Sequence, residues 1–304
     1  MSVYHAPAAD MEFVINELVG LEAIQTLPGN DEINSELVSS IIEEAGKFAT
    51  GILDPLNWPG DRQGAKLENH VVTSADGFSE AYKQYSEGGW GGLSNDSEWG
   101  GQGLPHMVAA LTSEMWHASC MSFALCPMLT AGAVQAVKRH GSDKLKDIYL
   151  SKLISGQWSG TMNLTEPQAG SDLSAVRSKA VPEGEYHRIY GTKIYITWGE
   201  HEMAENIVHL VLARTPDAPE GVKGISLFVV PKYLVNDDGS LGNRNDVKCI
   251  SIEEKLGIHA SPTCVMAFGD EDGAVGYLVG EENRGLQYMF TMMNFARLEV
   301  GIEG

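Results

Sequence analysis

The first part of the chain carries apolar residues at helical spacing. From Met11 to about Thr26 they recur every three or four positions, which predicts an amphipathic helix ended by Pro28-Gly29-Asn30. A second helical run extends from Asp31 to near Pro55. The predicted inner side of this second run consists of four residues: Ile33, Leu37, Ile41 and Ala45.

Further helices follow a turn-rich link at Trp58-Pro59-Gly60-Asp61-Arg62. One is predicted from Ala75 to Ser86. A much longer one is predicted from Pro105, which suits a first helical position, to about Arg139, with a kink at Pro127. The last of this group is predicted from Asp143 to Ile154.

After Trp158 the pattern becomes one of strands. From Tyr186 onward short segments rich in Ile, Val, Tyr and Thr alternate with turn residues. Because no helices lie between them, they predict an antiparallel barrel or sandwich rather than a parallel sheet. The predicted strands are 189–198, 207–213, 225–230, 247–252 and 263–268.

The helical period returns at Arg284 and continues to Gly304, where the chain stops without a helix-ending signal. This order predicts an α+β, multi-domain fold. Its parts are an N-terminal extension (1–30), an all-α domain (31–157), a middle β domain (158–280) and the start of a C-terminal helical bundle (281–304). We therefore expect the chain to be a fragment of a longer protein.

Composition and charge limit the classes of function. The 304 residues are 43% hydrophobic and 20% charged, as in ordinary globular proteins, and no apolar run reaches the ~20 residues that span a bilayer. The start lacks a secretory or transit signal, which favours a cytoplasmic protein. The formal charge of −20 argues against binding nucleic acid or an anionic membrane.

Cysteine and histidine spacing predicts neither disulfides nor a metal site. The four cysteines lie in apolar contexts without a C-x-x-C pair, so we expect reduced core thiols. The nine histidines show no H-E-x-x-H or similar ligand spacing.

The stretch Thr161-Met162-Asn163-Leu164-Thr165-Glu166-Pro167-Gln168-Ala169-Gly170-Ser171-Asp172 is the most informative motif. Proline fixes the backbone, Gly170 permits a close approach or a positive φ, and the N–H groups of the Gly-Ser-Asp turn can form an anion nest. Read by itself, the stretch is equally compatible with an ordinary capped turn.

Four separated stretches together resemble the acyl-CoA dehydrogenase flavoproteins. They are the loop from Gly88-Gly89-Trp90 to Gly100-Gly101-Gln102-Gly103, the stretch from Thr165 to Ala180, Gly191-Thr192-Lys193-Ile194-Tyr195-Ile196-Thr197, and Glu254 to Thr263 followed by Gly280 to Leu286. The N-terminal extension and Trp198 to Ala204 resemble the longer branch of that family, which includes the 3-methylmercaptopropionyl-CoA dehydrogenases.

The resemblance implies an FAD site on the middle domain. Met162 and Leu164 would offer backbone groups to the flavin, and the Thr165 hydroxyl would bond near N5 and O4. Gly170 and Ser171 would lie beside the pyrophosphate or the pantetheine of CoA. Tyr195 stands where the family usually has a tryptophan stacked on the flavin, although a surface aromatic is the plain alternative, and Thr197 is the next flavin contact.

The reaction implied is α,β-dehydrogenation of an acyl-CoA thioester, in which a carboxylate base removes the α-proton and the β-hydrogen leaves as hydride to the flavin. In a minority of the family the base immediately precedes the arginine that matches Arg297, but here Ala296 holds that place. Glu299 and Glu303 lie about 200° and 240° around the helix from Arg297 and are predicted to be solvated. We therefore expect the base beyond Gly304, so that this chain alone is inactive.

Asn294, Arg297 and Ser171 are the predicted substrate contacts, with a structural ion pair as the alternative for Arg297. The expected partners are the acyl-CoA, an electron-transfer flavoprotein, and further copies of the chain in a homodimer or tetramer. Alternatives within the fold are an acyl-CoA oxidase or flavin monooxygenase and a non-catalytic binding protein, as in the DNA-alkylation-response relatives. A helical/β protein with coincidental turns would bind no FAD.

Overall fold

The computed structural model describes residues 3–30 and 32–304. A helical part, a curled β-sheet and a final helix follow one another, which confirms the predicted fold class. The helices are α1 (Ala8–Phe13), α2 (Leu21–Gln25), α3 (Ser35–Phe48), α4 (Asp54–Gln63), α5 (Phe78–Glu87), α6 (His106–His140), α7 (Asp143–Ile154) and α8 (Gly285–Glu303).

The N-terminal helices differ from the sequence prediction in two ways: the first helix is interrupted, and the second buries a different set of residues. The predicted helix from Met11 to Thr26 is interrupted, because α1 continues into a π-helical turn that ends at Gly20, with φ of 81°. The predicted second start, Asp31, lies outside the described residues, and α3 begins after Asn34, whose side chain accepts from Leu37 N at 2.9 Å. Its buried stripe is offset from the predicted one and consists of Val38, Ile42, Ala45 and Phe48.

The predicted link from Trp58 to Arg62 is wrong, because α4 runs through it with Pro59 inside the helix. Pro55 also lies inside a continuous helical stretch, because a π-helical turn (Ala49–Leu53) joins α3 to α4 just before it. At Gly60 helix α4 passes close to α5, since a Cβ there would lie 2.7 Å from the Phe78 ring. The close approach of α4 to α5 therefore requires glycine at this position.

Helix α6 is the longest element, and more than half of its residues are buried. Its backbone is interrupted at Cys120 (φ −155°, ψ 83°), and not at the predicted Pro127. The Ser119 hydroxyl donates to the carbonyl of Met115 at 2.6 Å beside the break. The helix is long and apolar enough to span a membrane, but 78% of its most apolar window is buried inside the protein, as expected for a core helix.

The middle part is an eight-stranded sheet flanked by two hairpins. Strand order in the sheet is β10-β11-β5-β12-β7-β6-β3, with β4 paired to β5, and all neighbours are antiparallel except β3 and β6. The strands are β1 (Lys66–Glu68), β2 (Val71–Thr73), β3 (Trp158–Asn163), β4 (Lys179–Glu183), β5 (Tyr186–Thr197), β6 (Asn206–Ala213), β7 (Ser226–Pro231), β8 (Tyr233–Val235), β9 (Leu241–Arg244), β10 (Val247–Ile252), β11 (Thr263–Phe268) and β12 (Ala274–Leu278).

Three apolar cores connect these layers. One lies among α6, α7, α8 and one face of the sheet, a second among the N-terminal helices and α6, and a third within the curl of the sheet. All eight residues of β6 are buried, which fits its position between helices and the sheet interior. The four cysteines are free and buried, as predicted, and within the described residues no group of three or more potential ligands is arranged for a metal.

Candidate functional site

The loop after β3 is organised around the Glu166 carboxylate, which is 3% exposed. A tight turn returns the chain, with Ala169 N donating to Glu166 O at 2.9 Å. The side chain of Glu166 accepts from Arg177 N at 2.7 Å, from the Ser178 hydroxyl at 2.6 Å and from Lys193 Nζ at 2.7 Å. One buried carboxylate therefore joins three separate pieces of backbone.

Lys193 of β5 is the cation of this buried pair. Its Nζ also donates to Leu164 O at 3.1 Å, and Ile194 N donates to Thr165 O at 2.9 Å. Burial lowers the pKa of Lys193 to about 8 against the opposing attraction of Glu166. Burial acts to raise the pKa of Glu166, but Lys193 and the hydrogen bonds from Ser178 and Arg177 hold it below its usual value. The pair is thus ionised at neutral pH and fixes Leu164 and Thr165 against β5.

A β-bulge turns Tyr195 outward beside Thr165. The register between β5 and β11 shifts between Cys264 and Met266, so that extra residues of β5 oppose one residue of β11. Tyr195 adopts a left-handed backbone with φ of 61°, and its side chain is 60% exposed. An aromatic residue in this conformation with its ring in solvent is unusual, and it presents a flat ring next to the Thr165 backbone.

The strand end after the bulge is anchored to α6. Thr197 lies opposite Thr263, and Trp198 N donates to Pro262 O at 2.8 Å. Trp198 has φ of 51° and is 1% exposed, and its Nε1 donates to Ser122 O at 3.0 Å, two residues past the break in α6. The sequence offered no role for Trp198, which locks the end of β5 to the long helix.

Gly170 and Ser171 lie on the exposed loop between Glu166 and a short 3₁₀ turn. The positive φ suggested for Gly170 is wrong, because its φ is not left-handed, and a Cβ there would meet no protein atom within 4 Å. Asp172 accepts from Ser174 N at 2.9 Å and so stabilises the turn itself. Among the described residues the backbone N–H groups of Gly170, Ser171 and Asp172 have no recorded acceptor, so these donors are free to meet a ligand.

These groups define what we call the exposed face: Met162, Thr165, the 170–172 loop, Tyr195 and Thr197, together with the backbone of Leu164, whose side chain is buried. Strand β3 is the terminal strand of its sheet, so one edge of its backbone is unpaired. This face combines an outward aromatic ring, two threonine hydroxyls, backbone polar groups and a row of N–H donors. Such a set suits a flat heteroaromatic ligand with an anionic linker.

Two of the predicted substrate residues, Asn294 and Arg297, lie on α8. Arg297 and Asn294 are both exposed, and Arg297 Nη1 donates to Asn294 Oδ1 at 2.8 Å. Ala296 is buried on the other side of α8, against α6. The structure therefore pairs Asn294 with Arg297, and within residues 3–30 and 32–304 no hydrogen bond joins either of them to Ser171.

The two glutamates near the end of α8 are not solvated, which corrects the prediction. Glu299 is 7% exposed and accepts a hydrogen bond from the Ser113 hydroxyl of α6, and Glu303 is half-buried. Glu299 lies about 200° around the helix from Arg297, as the sequence analysis stated. Because Arg297 itself faces solvent, Glu299 on the opposite side faces α6. Burial raises the pKa of Glu299, and burial together with the charge of Glu299 raises that of Glu303.

A partly open cavity of about 80 Å³ lies between the N-terminal helices and α8. Its walls combine aromatic rings (Tyr85, Trp90, Trp116), alanines of α6 on both sides of the break, and the polar side chains of Ser113 and Glu299. Asn95 also lines it, and the buried Asn95 Oδ1 has no partner among the described residues. Ala131 of α6 also lines the cavity. It directly follows Thr130, whose hydroxyl accepts a hydrogen bond from Gly160 N of β3 at 3.0 Å.

Two buried histidines support β3 from inside. Asn163 Nδ2 donates to the Thr161 hydroxyl at 2.8 Å, and the same hydroxyl shares a hydrogen bond with His209 Nδ1 at 2.7 Å. Met203 N donates to His201 Nδ1 at 3.1 Å, which leaves the opposite nitrogen, Nε2, to donate to Ser159 Oγ at 2.9 Å. Burial, with a smaller contribution from Lys232, lowers the pKa of each ring to about 3, so both rings are neutral at pH 7.

These two histidines predict a pH dependence of stability between pH 5 and 6.5. In that window the unfolded chain, with a histidine pKa near 6.5, binds protons that the native rings do not bind. The free energy of unfolding is thus expected to fall as pH is lowered through 6.5. Urea unfolding at pH 7 and pH 5 measures it, and the His201→Gln/His209→Gln variant should show a shallower slope. An unchanged slope in the variant would contradict this assignment.

Comparisons with known proteins agree with this arrangement. Residues 62–157 match the family model described as "Acyl-CoA dehydrogenase, N-terminal domain", and residues 161–270 match "Acyl-CoA dehydrogenase, middle domain". The chain is 52% identical over 302 residues to a 3-methylmercaptopropionyl-CoA dehydrogenase of Ruegeria pomeroyi, covering 99% of this chain and 51% of that protein.

Solved structures show the same fold. Caenorhabditis elegans ACDH-11 in complex with C11-CoA matches with a TM-score of 0.79 at 19% identity. The match covers 99% of this chain and 51% of the ACDH-11 chain. An acyl-CoA dehydrogenase from Bacillus anthracis complexed with FAD has a TM-score of 0.71 at 24% identity, covering 90% of this chain and 42% of its own. The chain spans about half the length of the curated relatives it matches.

Proposed function

The chain belongs to the acyl-CoA dehydrogenase family, and on this premise we propose that it forms the FAD-holding part of an enzyme that introduces an α,β double bond into an acyl-CoA thioester. The 52% identity to a 3-methylmercaptopropionyl-CoA dehydrogenase supports a short acyl group, such as 3-methylmercaptopropionyl, as substrate. Electrons would leave to an electron-transfer flavoprotein, and the whole protein would be a cytoplasmic homodimer or tetramer.

The exposed face fits FAD in its chemistry. Tyr195 offers a ring for stacking, Thr165 and Thr197 offer hydroxyl groups, and the N–H groups of Gly170 and Ser171 suit an anionic linker. Met162 and Leu164 would contribute backbone groups, although Leu164 O is already bonded to Lys193. When bound, FAD supplies the acceptor for the hydride that leaves the β-carbon.

This chain's own residues would position the cofactor and the thioester. The observation that carries the proposal is the bulge, because it exposes Tyr195 next to Thr165 while the buried Glu166–Lys193 pair holds both segments in place. Ser171 would lie on the CoA side. Ala296 cannot accept the α-proton, so we propose that the base belongs to the part of the protein beyond Gly304.

The test is FAD binding by variants of the exposed ring. Tyr195→Ala keeps the same backbone strain at positive φ but removes the ring, and we expect FAD to bind about tenfold more weakly, while Tyr195→Phe and Tyr195→Trp bind normally. Quenching of flavin fluorescence measures the affinity. Tyr186→Ala, at the other end of β5, is the matched control.

Equal FAD affinity in Tyr195→Ala and Tyr186→Ala would place the cofactor elsewhere and overturn the proposal. With FAD bound to the full-length protein, the electron acceptor is then identified from the rate at which the reduced protein reacts with an electron-transfer flavoprotein and with oxygen. A dehydrogenase requires the flavoprotein to react faster, whereas an oxidase requires oxygen to do so.

A further inference from the structure

Arg214 directly follows β6, and its guanidinium donates hydrogen bonds to four backbone carbonyl groups. Nε donates to Val176 O at 2.7 Å, and Nη2 donates to Ser174 O at 2.8 Å and to Gly221 O at 2.7 Å. Nη1 donates to Pro219 O at 3.1 Å. The planar fork of arginine thus fastens two separate loops to one strand end, which the single ammonium group of a lysine cannot do in the same geometry.

The first of these two loops carries the N–H donors of the exposed face. The 170–172 loop leads into the 3₁₀ turn, and Asp172 Oδ1 accepts from Ser174 N at 2.9 Å, so the loop and the turn form one unit. Arg214 holds this unit by its carbonyls against the end of β6, and β6 pairs in parallel with β3. The position of the 170–172 donors relative to β3 therefore depends on Arg214.

The charge around this loop is opposite in sign to that of the whole chain. The protein has a formal charge of −20, yet residues 170–182 contain two cations, Arg177 and Lys179, and a single carboxylate, Asp172. That carboxylate is bonded to the backbone of its own turn. Within residues 3–30 and 32–304, no carboxylate oxygen lies within 4 Å of a side-chain nitrogen of Arg177, Lys179 or Arg214. Cations without carboxylate partners, placed beside unpaired N–H donors, favour an anionic ligand.

We propose that Arg214 is a positioning residue for a diphosphate group bound by the backbone N–H donors of the 170–172 loop. This inference rests on the proposed function, which assigns an anionic linker to these donors. Arg214 acts through the turn: because Ser174 O and Val176 O are fixed, the N–H groups keep one arrangement, and less ordering is needed when the ligand binds. Its positive charge also favours the anion. FAD and CoA both contain a diphosphate, and the experiment separates these two sources.

The first arm of the experiment compares ligands that share the flavin ring and differ in the diphosphate. Full-length protein from which FAD has been removed is titrated with FAD and with riboflavin, which lacks phosphate, and quenching of flavin fluorescence gives each Kd. We expect Arg214→Met to weaken the binding of FAD about tenfold and that of riboflavin less than about twofold. Arg188→Met is the matched control, because it removes another partly buried guanidinium, which binds Glu183 near the start of β5, and it should leave both Kd values unchanged.

A second variant keeps the test decisive if Arg214→Met does not fold. Arg214→Lys retains the charge but cannot hold Ser174 O and Val176 O with one fork, so we expect FAD to bind about fivefold more weakly. The second arm of the experiment uses the FAD-loaded protein and compares the Kd of butyryl-CoA with that of butyryl-pantetheine, which lacks the diphosphate.

The two arms give distinct outcomes. A loss confined to FAD relative to riboflavin supports the proposal with the diphosphate of FAD as the ligand, and a loss confined to butyryl-CoA relative to butyryl-pantetheine supports it with that of CoA. If both ratios in the folded Arg214 variants stay within about twofold of those of Arg188→Met, the inference is overturned. Failure of the wild-type protein to bind FAD overturns the proposed function instead.

Discussion

Replacing Lys193 with methionine is expected to lower the free energy of unfolding by about 3–5 kcal/mol, because it leaves a buried carboxylate without its cation. Lys193 and Glu166 are both almost fully buried, and their charged atoms lie 2.7 Å apart. Methionine matches the length of the lysine stem, so the loss reports the unpaired charge and not a cavity. Urea unfolding followed by tryptophan fluorescence measures the change.

The double variant Glu166→Gln/Lys193→Met separates the charge from the hydrogen bonds. The single oxygen of glutamine can still accept from Ser178, while its amide nitrogen replaces the oxygen that accepts from Arg177. Because neither partner is then charged, we expect the double variant to be more stable than Lys193→Met. The exposed pair of Lys144 and Glu185 is the control, and Lys144→Met should cost less than about 1 kcal/mol. Equal losses in Lys193→Met and Lys144→Met would show that the buried pair contributes no more than a surface one.

The same pair connects stability to the site. Lys193 holds Leu164 O, and the neighbouring Ile194 N holds Thr165 O, so loss of Lys193 frees the segment that carries the proposed flavin contacts. Glu166 was visible in the sequence only as part of a motif. Its partner could not be predicted, because the two residues are 27 positions apart and meet only when β5 folds over the loop after β3.

What the sequence predicted well was the type of each element with a strong local pattern. The strand 247–252, the helix Asp143–Ile154 and the antiparallel character of most of the sheet follow from local periodicity and turn residues. The parallel pairing of β3 with β6 is different, since it depends on packing against α6 and has no local signature. The bulge that exposes Tyr195 likewise depends on register with β11.

Helix α8 shows why the buried side of a helix was harder to predict than the presence of the helix. Its apolar residues surround most of the helix, so the pattern contains no clear polar side, and Arg297 was predicted to be a substrate contact on resemblance alone. The structure buries Ala296 and Glu299 against α6 instead. A buried glutamate cannot be recognised from sequence when the hydroxyl that binds it, Ser113, is 186 residues away.

Trp198→Ala is expected to lower the free energy of unfolding by about 3–5 kcal/mol, since it empties one of the largest fully buried positions. The ring packs on Phe78 and His201, and its Nε1 donates to Ser122 O near the break in α6. Trp198→Phe keeps most of the packing and should lose only about 1–3 kcal/mol, the cost of leaving that carbonyl unpaired.

The measurement for Trp198 is urea unfolding followed by circular dichroism, which does not depend on the tryptophan removed. Trp58→Ala, at a position 51% exposed, is the matched control and should change stability by less than about 1 kcal/mol. Because Trp198 joins β5 to α6, its loss should also weaken FAD binding in Trp198→Ala through the strand that carries Tyr195 and Thr197. A variant as stable as Trp58→Ala would mean that β5 and α6 are held together without this residue.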